Sequence, residues 1–357
     1  MELKTLGYNN FFENQFSMFR DRGLVPARVV KESRHIYSVV SENLETRAEI
    51  TGHFHYTAAG RADYPTVGDW VALRESEGTA LIEAVLERQS AFSRKVAGSE
   101  FDEQVVAANI DYLCIVCGLD GGRNFTLRGL ERYLAMAYDG GAAPVVILNK
   151  VDLCSDREGA ALSAKSVAGN APVHLVSALT GEGIEEVVAG FAPGKTVAFS
   201  GPSGVGKSAL VNCLMGHTVQ TTGAQREDDR RGRHTTTHKE IFFLPGGALV
   251  IDTPGLRELQ LWGDEESLKD TFSEIYEAAE NCRFKDCTHR EEPGCAVLEL
   301  LESGGIEPAR YQNFLNMQAE LNYLNSKLTE QGRQERKAKD KELARMIKEV
   351  KRIKKKK

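Results

Sequence analysis

The sequence predicts an α/β protein. Its centre is a doubly wound parallel sheet, with a small all-β barrel before it and a helical, cysteine-bearing segment after it. Three observations predict this. Apolar runs of strand length (IDYLCIVCGL, APVVILNK, VHLVSAL, KTVAFSG, ALVIDTPG) recur between residues 110 and 255, with helical stretches among them. That is the rhythm of a buried parallel sheet. Residues 24–88 instead hold five short alternating segments cut by Gly52, Gly60, Pro65, Gly68 and Gly78, the pattern of a small barrel. From about Ser267 the chain reads as helix, with Cys282, Cys287, His289 and Cys295 crowded into 14 residues.

At 357 residues the chain is too long for one compact domain. The expected division is a lead-in and barrel over 1–95, the sheet domain over 96–266, a helical domain over 267–326 and a basic helical tail over 327–357. Hydrophobic residues at 41% and charged residues at 27% exclude wholesale disorder. No apolar run reaches the roughly 18–20 residues that cross a bilayer, so no membrane role is expected. The start MELKTLGYNNFFENQF lacks a basic segment followed by an apolar one, so no secretory signal is expected. Seven scattered cysteines do not read as a disulfide framework, and the expected compartment is the cytoplasm. The net charge of −6 hides an asymmetry: residues 327–357 carry 14 Lys and Arg against 5 Asp and Glu. Such a tail either reaches a polyanionic partner or is a solvated, frayed helix end.

Taken in order, residues 1–20 read as a short helical lead-in. VPARVVKES, HIYSVVSE, TRAEITGHF, DWVALRES and ALIEAVLER read as five strands, a length that fits an oligonucleotide-binding barrel or a β-module that only packs on its neighbour. His53 and His55 flank Phe54 on a barrel strand, facing RNA or simply lying on a half-exposed strand face. RGLERYLAMAYDGG reads as a helix ending in glycines.

The strand KTVAFS then runs into Gly201, Pro202, Ser203, Gly204, Val205, Gly206, Lys207 and Ser208, followed by a helix. This is GxxxxGK[ST] in its strand–loop–helix setting. Backbone N–H groups of such a loop cradle phosphate oxygens at a helix N-terminus. Lys207 is placed to reach the β- and γ-phosphates, and the Ser208 hydroxyl to ligate Mg²⁺. Downstream, Asp252 closes the strand ALVIDT and begins Asp252-Thr253-Pro254-Gly255. There a carboxylate can hold Mg²⁺ through water, and the Gly255 amide can meet the γ-phosphate. Between these pieces lies the polar stretch TTGAQREDDRRGRHTTTHKE, expected to be a switch loop. One of Thr235, Thr236 and Thr237 supplies the second hydroxyl ligand; Thr236 stands for the run among the candidate catalytic residues, beside Lys207 and His234.

The base-selecting pieces come earlier in the chain. Asn149-Lys150-Val151-Asp152 follows the strand APVVIL. The Asp152 carboxylate suits the paired ring-edge N–H groups of guanine. Asn149 would brace the loop and contact the base, and the Lys150 stem would lie on the ring face. Ser177-Ala178, after VHLV, can give a backbone N–H to the guanine carbonyl. GTP and GDP are therefore the expected ligands. In an ordinary GTPase the phosphate loop comes first and the base loops last. The reversed order implies a circular permutation, which keeps strand neighbours and moves the termini. It also sets Asp252 directly before the Cys/His region, so nucleotide state is expected to reach that region. Leu256 stands where many GTPases place a water-orienting Gln, so intrinsic hydrolysis should be slow. His234 beside the Thr run is the candidate replacement, positioned by a macromolecular partner.

Cys282, Cys287, His289 and Cys295 give three thiolates and an imidazole, a closed tetrahedral set for one structural Zn²⁺. Cys114 and Cys117 form a CxxC inside an apolar strand and read as core residues. Cys154 and Cys213 have no partner in view.

Together NKVD, SAL, GPSGVGKS, GRHTTTH, DTPG and the Cys₃His cluster, in that order, resemble the bacterial small-subunit-dependent GTPases of the RsgA family. The resemblance runs from VGDWV at Val67–Val71 to about Cys295. It implies an N-terminal OB-fold barrel that binds RNA, a circularly permuted GTPase domain and a zinc domain that binds the small ribosomal subunit. It further implies GTP hydrolysis stimulated by that subunit and its rRNA late in maturation, and a hydrophobic residue in place of the catalytic Gln. A monomer is expected. The lysine-rich extension is not part of the shared pattern. The rival readings are a phosphate-loop ATPase or small-molecule kinase, which Asn149 and Asp152 oppose, and an RNA-binding scaffold with a vestigial nucleotide site, which Lys207, Ser208 and Asp252 oppose.

Overall fold

The lead-in is held by its own aromatic residues. Asn9 accepts a hydrogen bond from the Phe11 N–H and caps α1 (Asn10–Arg20), which buries Phe12 and Phe16 one turn apart. The computed structural model describes residues 2–33, 36–76, 78–95, 103–122, 124–216, 239–253, 256, 261 and 268–326. These divide into two compact units, Met1–Leu261 with Ser267–Tyr276, and Trp262–Glu266 with Glu277–Lys357.

The first unit begins with the barrel. Strands β1 (Val25–Ser33), β2 (Ile36–Val40), β3 (Glu45–Ile50), β4 (Trp70–Arg74) and β5 (Ala80–Val85) pair in the order β1-β2-β3-β5-β4, and β4 returns to β1. Alternating residues such as Ala27, Val29, Tyr37 and Val39 fill its interior. The VGDWV stretch is a structural corner. Gly68 has φ +93°, and a Cβ there would lie 2.0 Å from the Ala108 carbonyl oxygen, so only glycine fits. Next to it the buried Asp69 carboxylate accepts two 2.8 Å bonds from Arg88 and a third from the Thr66 N–H. One expectation fails here: His53 and His55 are not on a strand. β3 stops at Ile50, and the Thr51 hydroxyl accepts from the Phe54 N–H, capping the short helix α2 (Gly52–Thr57). An N-cap threonine followed by Gly52 ends the extended run that the alternation alone suggested.

A hairpin that the sequence did not disclose, β6 (Ala91–Lys95) with β7 (Glu103–Ala108), leads on to the sheet domain. Its strands are β8 (Tyr112–Gly118), β9 (Ala143–Asn149), β10 (Val173–Leu175), β11 (Thr196–Ser200), β12 (Lys239–Phe243) and β13 (Leu249–Asp252). They lie in the order β10-β9-β8-β11-β13-β12, all parallel except β12. Counted from the phosphate-loop strand β11, that order reads 2-3-1-4-5-6 from β12 to β10. The spatial order of a doubly wound nucleotide fold is intact while the chain order is rotated.

Both faces of this sheet are covered. The helices are α3 (Leu127–Asp139), α4 (Arg157–Ala168), α5 (Ile184–Ala189) and α6 (Lys207–Met215). Cys114 and Val116 of β8 pack with Ile184 and Leu210 of α5 and α6, whereas Ile115 and Cys117 pack with Leu134 and Ala164 of α3 and α4. The period-two alternation inside an apolar run thus feeds two cores. Burial pushes the Cys117 thiol up to about 12, so this CxxC is core and not a thiolate pair.

Barrel and sheet domain are one continuous hydrogen-bonded sheet, because β1 pairs with β12 through Lys31 opposite Glu240 and Glu32 opposite Lys239. Crossed ion pairs flank this seam: Lys31 to Glu240 at 2.9 Å and Lys239 to Glu32 at 2.7 Å. Behind it the buried Arg28 guanidinium donates to Leu6, Gly68 and Asn109 carbonyls and to the Thr196 hydroxyl. Lead-in, barrel and β11 are pinned by one side chain.

In the second unit, helix Ala296–Glu302 and a helix over 308–326 follow the cysteine-bearing loop. Among the described residues no helix is long and apolar enough to cross a membrane. His234, Thr235, Thr236, Thr237, Gly255 and the tail 327–357 lie outside the described residues.

Candidate nucleotide site and metal centre

In a doubly wound sheet, ligands bind beyond the carboxyl ends of the strands where the winding direction reverses. Here that point is the β11/β8 boundary, with β13 on the far side of β11. β11 delivers the phosphate loop there. Gly201 has φ +136°, and a Cβ would meet the Val116 carbonyl oxygen at 2.2 Å. Gly206 has φ +95°, and a Cβ would meet Asn149 Nδ2 at 2.4 Å. The loop is wound so tightly against β8 and β9 that side chains are excluded at both ends. α6 starts at Lys207, whose ammonium donates to the Gly201 and Pro202 carbonyls at 2.5 Å each. Pro202, Ser208 and Asp252 are half-buried, Ser203 and Gly204 are exposed, and Asp252 ends β13 beside β11.

The base-selecting residues converge on this loop from the other side. Asn149 ends β9 and is 2% exposed. Its Nδ2 donates to the Val205 carbonyl at 2.8 Å, and its Oδ1 accepts from the Ala178 N–H at 3.0 Å. One amide therefore ties all three motifs together. Asp152 Oδ1 accepts from the Ser177 hydroxyl at 2.6 Å, and that hydroxyl accepts from the Thr180 N–H. The Ala178 N–H, which the sequence assigns to a guanine carbonyl, is engaged by Asn149 in this structure. Lys150 sits at φ +68°, and its ammonium donates to Asp120 Oδ2 at 2.6 Å and to the Gly204 carbonyl at 2.7 Å.

Sequence reasoning passed over Asp120 and Asn124. Asp120 lies two residues beyond β8, with the Asn124 amide 3.4 Å from both carboxylate oxygens. Lys150 holds its carboxyl below the usual carboxylate range, chiefly through that hydrogen bond. The available signal was position: an acidic residue just past the central strand end at a winding reversal. Leu256, read as a missing glutamine, is 1% exposed, and its carbonyl accepts from the buried Ser200 hydroxyl at 2.7 Å. Its side chain is part of the packing.

The Cys/His cluster belongs to the second unit. Its four ligand atoms lie within 4.8 Å of one another. Cys282 and Cys295 sulfurs are 3.8 Å apart, and His289 Nδ1 is 3.6 Å and 3.5 Å from them. A tetrahedral ion with bonds of about 2.3 Å to sulfur and about 2.0–2.1 Å to nitrogen demands edges of about 3.8 Å and about 3.5 Å. The donor set and its spacing fit zinc through Nδ1. His289 takes a left-handed conformation, φ +60°, unusual for a non-glycine residue, and the Tyr311 hydroxyl donates to its carbonyl.

Comparisons with known proteins give the family and the fold. The RsgA GTPase family model matches residues 85–262. An ABC transporter model matches residues 184–355; that span contains the phosphate loop common to both classes but omits Asn149, Asp152 and Ser177. A protein of Opitutus terrae named small ribosomal subunit biogenesis GTPase RsgA is 46% identical over 334 residues, 90% of each chain. The crystal structure of YjeQ from Thermotoga maritima is similar at a TM-score of 0.64 and 28% identity, over 84% of this chain and 98% of its own. The structure of YloQ, described as a circularly permuted GTPase, gives a TM-score of 0.61 at 23% identity over 84% of this chain and 95% of its own, a likeness of fold.

Proposed function

Because the chain belongs to the RsgA GTPase family, we propose that it hydrolyses GTP to GDP and phosphate late in maturation of the small ribosomal subunit, stimulated by that subunit. The observation that carries the reading is the Asn149 amide, which joins the base loop, the Ser177-Ala178 loop and the phosphate loop within hydrogen-bond distance. The rotated chain order still brings these three loops together.

In this reading Asp152 accepts from the guanine edge, Lys150 covers the ring, and Ser177 and Ala178 shape the base loop. Gly201 to Gly206 wrap the phosphates, and the Lys207 ammonium moves from the loop carbonyls to the β- and γ-phosphate oxygens. Ser208 and Asp252 would hold Mg²⁺, which neutralises phosphate charge when bound. Gly255 meets the γ-phosphate. Water attacks the γ-phosphorus and the β–γ bridging oxygen leaves. The Leu256 side chain has no polar atom to orient that water, so His234 takes the task once the subunit positions it, and one of Thr235, Thr236 and Thr237 supplies the second hydroxyl ligand to Mg²⁺. Zn²⁺ held by Cys282, Cys287, His289 and Cys295 would staple the second unit.

The barrel over 1–95 binds RNA, the domain over 96–266 is the GTPase, the zinc domain over 267–326 binds the small subunit, and the chain works in the cytoplasm as a monomer. The expected test result is GTP turnover that rises and saturates across a titration of purified small subunits. Flat turnover with intact subunit binding would favour a scaffold with a vestigial site. His234→Ala should abolish the stimulated rate and spare nucleotide affinity.

A further inference from the structure

Lys150 is the least constrained of the base-site residues by sequence. Its position in the loop fixes its backbone, yet a four-carbon stem with a charged head has many rotamers. For the stem to lie flat on a purine, the head must be anchored. Two anchors are present: the Gly204 carbonyl of the phosphate loop at 2.7 Å and Asp120 Oδ2 at 2.6 Å. The carbonyl belongs to an exposed glycine. The carboxylate is the charged anchor: Asp120 follows β8, its Oδ1 lies 3.4 Å from the Gly122 N–H, and the Asn124 amide stands beside it. The Lys150 and Asp120 side chains are 26% and 21% exposed, shielded enough for the pair to exceed an ordinary surface ion pair.

We propose that Asp120 is a positioning residue for guanine nucleotide binding, which clamps the Lys150 ammonium against the phosphate loop and so sets its stem over the base. This rests on the reading of Lys150 as the residue that covers the ring. Asp120 touches no reacting atom. It acts on how tightly GTP and GDP are held, and it acts through Lys150.

The test is a double-mutant cycle on the full chain with Asp120→Asn, Lys150→Met and both. Binding is read by titration with GDP and turnover as kcat and KM, and melting temperature monitors folding. Asp120→Asn keeps the shape of the side chain and removes the charge, so KM and the GDP dissociation constant should rise about tenfold with kcat little changed. Asp120→Glu should recover part of the loss. The double variant should bind no more weakly than Lys150→Met alone. Independent, additive losses, or a fall in kcat at constant KM, would overturn the proposal, as would unchanged binding in Asp120→Asn while Lys150→Met binds weakly. Unchanged binding in Lys150→Met would overturn the underlying reading of Lys150 instead.

Discussion

Replacing Asn149 with Ala tests the assembly of the pocket most directly. The change deletes the bond to the Val205 carbonyl at 2.8 Å and the bond from the Ala178 N–H at 3.0 Å. Val205 is fully buried, so its carbonyl loses its partner where water does not easily substitute. That orphan costs about 1–3 kcal/mol and the second bond about 1 kcal/mol, for a total of about 2–4 kcal/mol. In a unit of this size each kcal/mol lowers the midpoint by about 2–4 °C, so thermal denaturation without nucleotide should show a fall of about 5–15 °C. Asn149→Asp should be worse, because a carboxylate oxygen then faces the Val205 carbonyl. GDP affinity should fall in both variants. The reasoning is refuted if Asn149→Ala melts with the parent chain while losing GDP binding. Asn149 would then be a base contact and not a brace.

Leu256→Gln places an amide in a packed position that is 1% exposed; the variant should lose stability by about 1–3 kcal/mol with no gain in intrinsic turnover, read by phosphate release. Chelation of zinc, or Cys295→Ser, should raise hydrogen exchange over 277–326 and release one metal equivalent by elemental analysis. Burial holds His174, on β10, below its ordinary pKa, against a smaller opposing pull from Glu186. The unfolded chain therefore binds the proton more readily. Stability is full above the ordinary value of about 6.5 and declines as pH falls from there toward the lowered one. His174→Gln should flatten that limb of a melting-temperature profile.

What could be read without coordinates was chemistry carried by short segments. GPSGVGKS, NKVD and the Cys₃His run are each local, because phosphate loops, base loops and zinc knuckles need their residue types at fixed spacings. The apolar runs at β8, β9 and β11 were legible because strands buried on both faces have almost no polar positions. The helix at His53 and His55 was not legible, because a capping threonine outweighs a short alternation, and neither was the β6–β7 hairpin. The partner through which Asn149 braces was hidden for a deeper reason: Val205 lies 56 residues away, and no local pattern encodes which loop end a strand end will face.

The sequence by itself determined the kinds of groups present, the order of strands and loops along the chain, and a zinc-type ligand set. Tertiary structure alone decided that β11 lies between β8 and β13, that β12 pairs with barrel strand β1, and that Asp120 meets Lys150. Strand neighbours follow from how sheet faces are covered and wound, a property of the whole packed unit, so a rotated chain order can bring the same loops together.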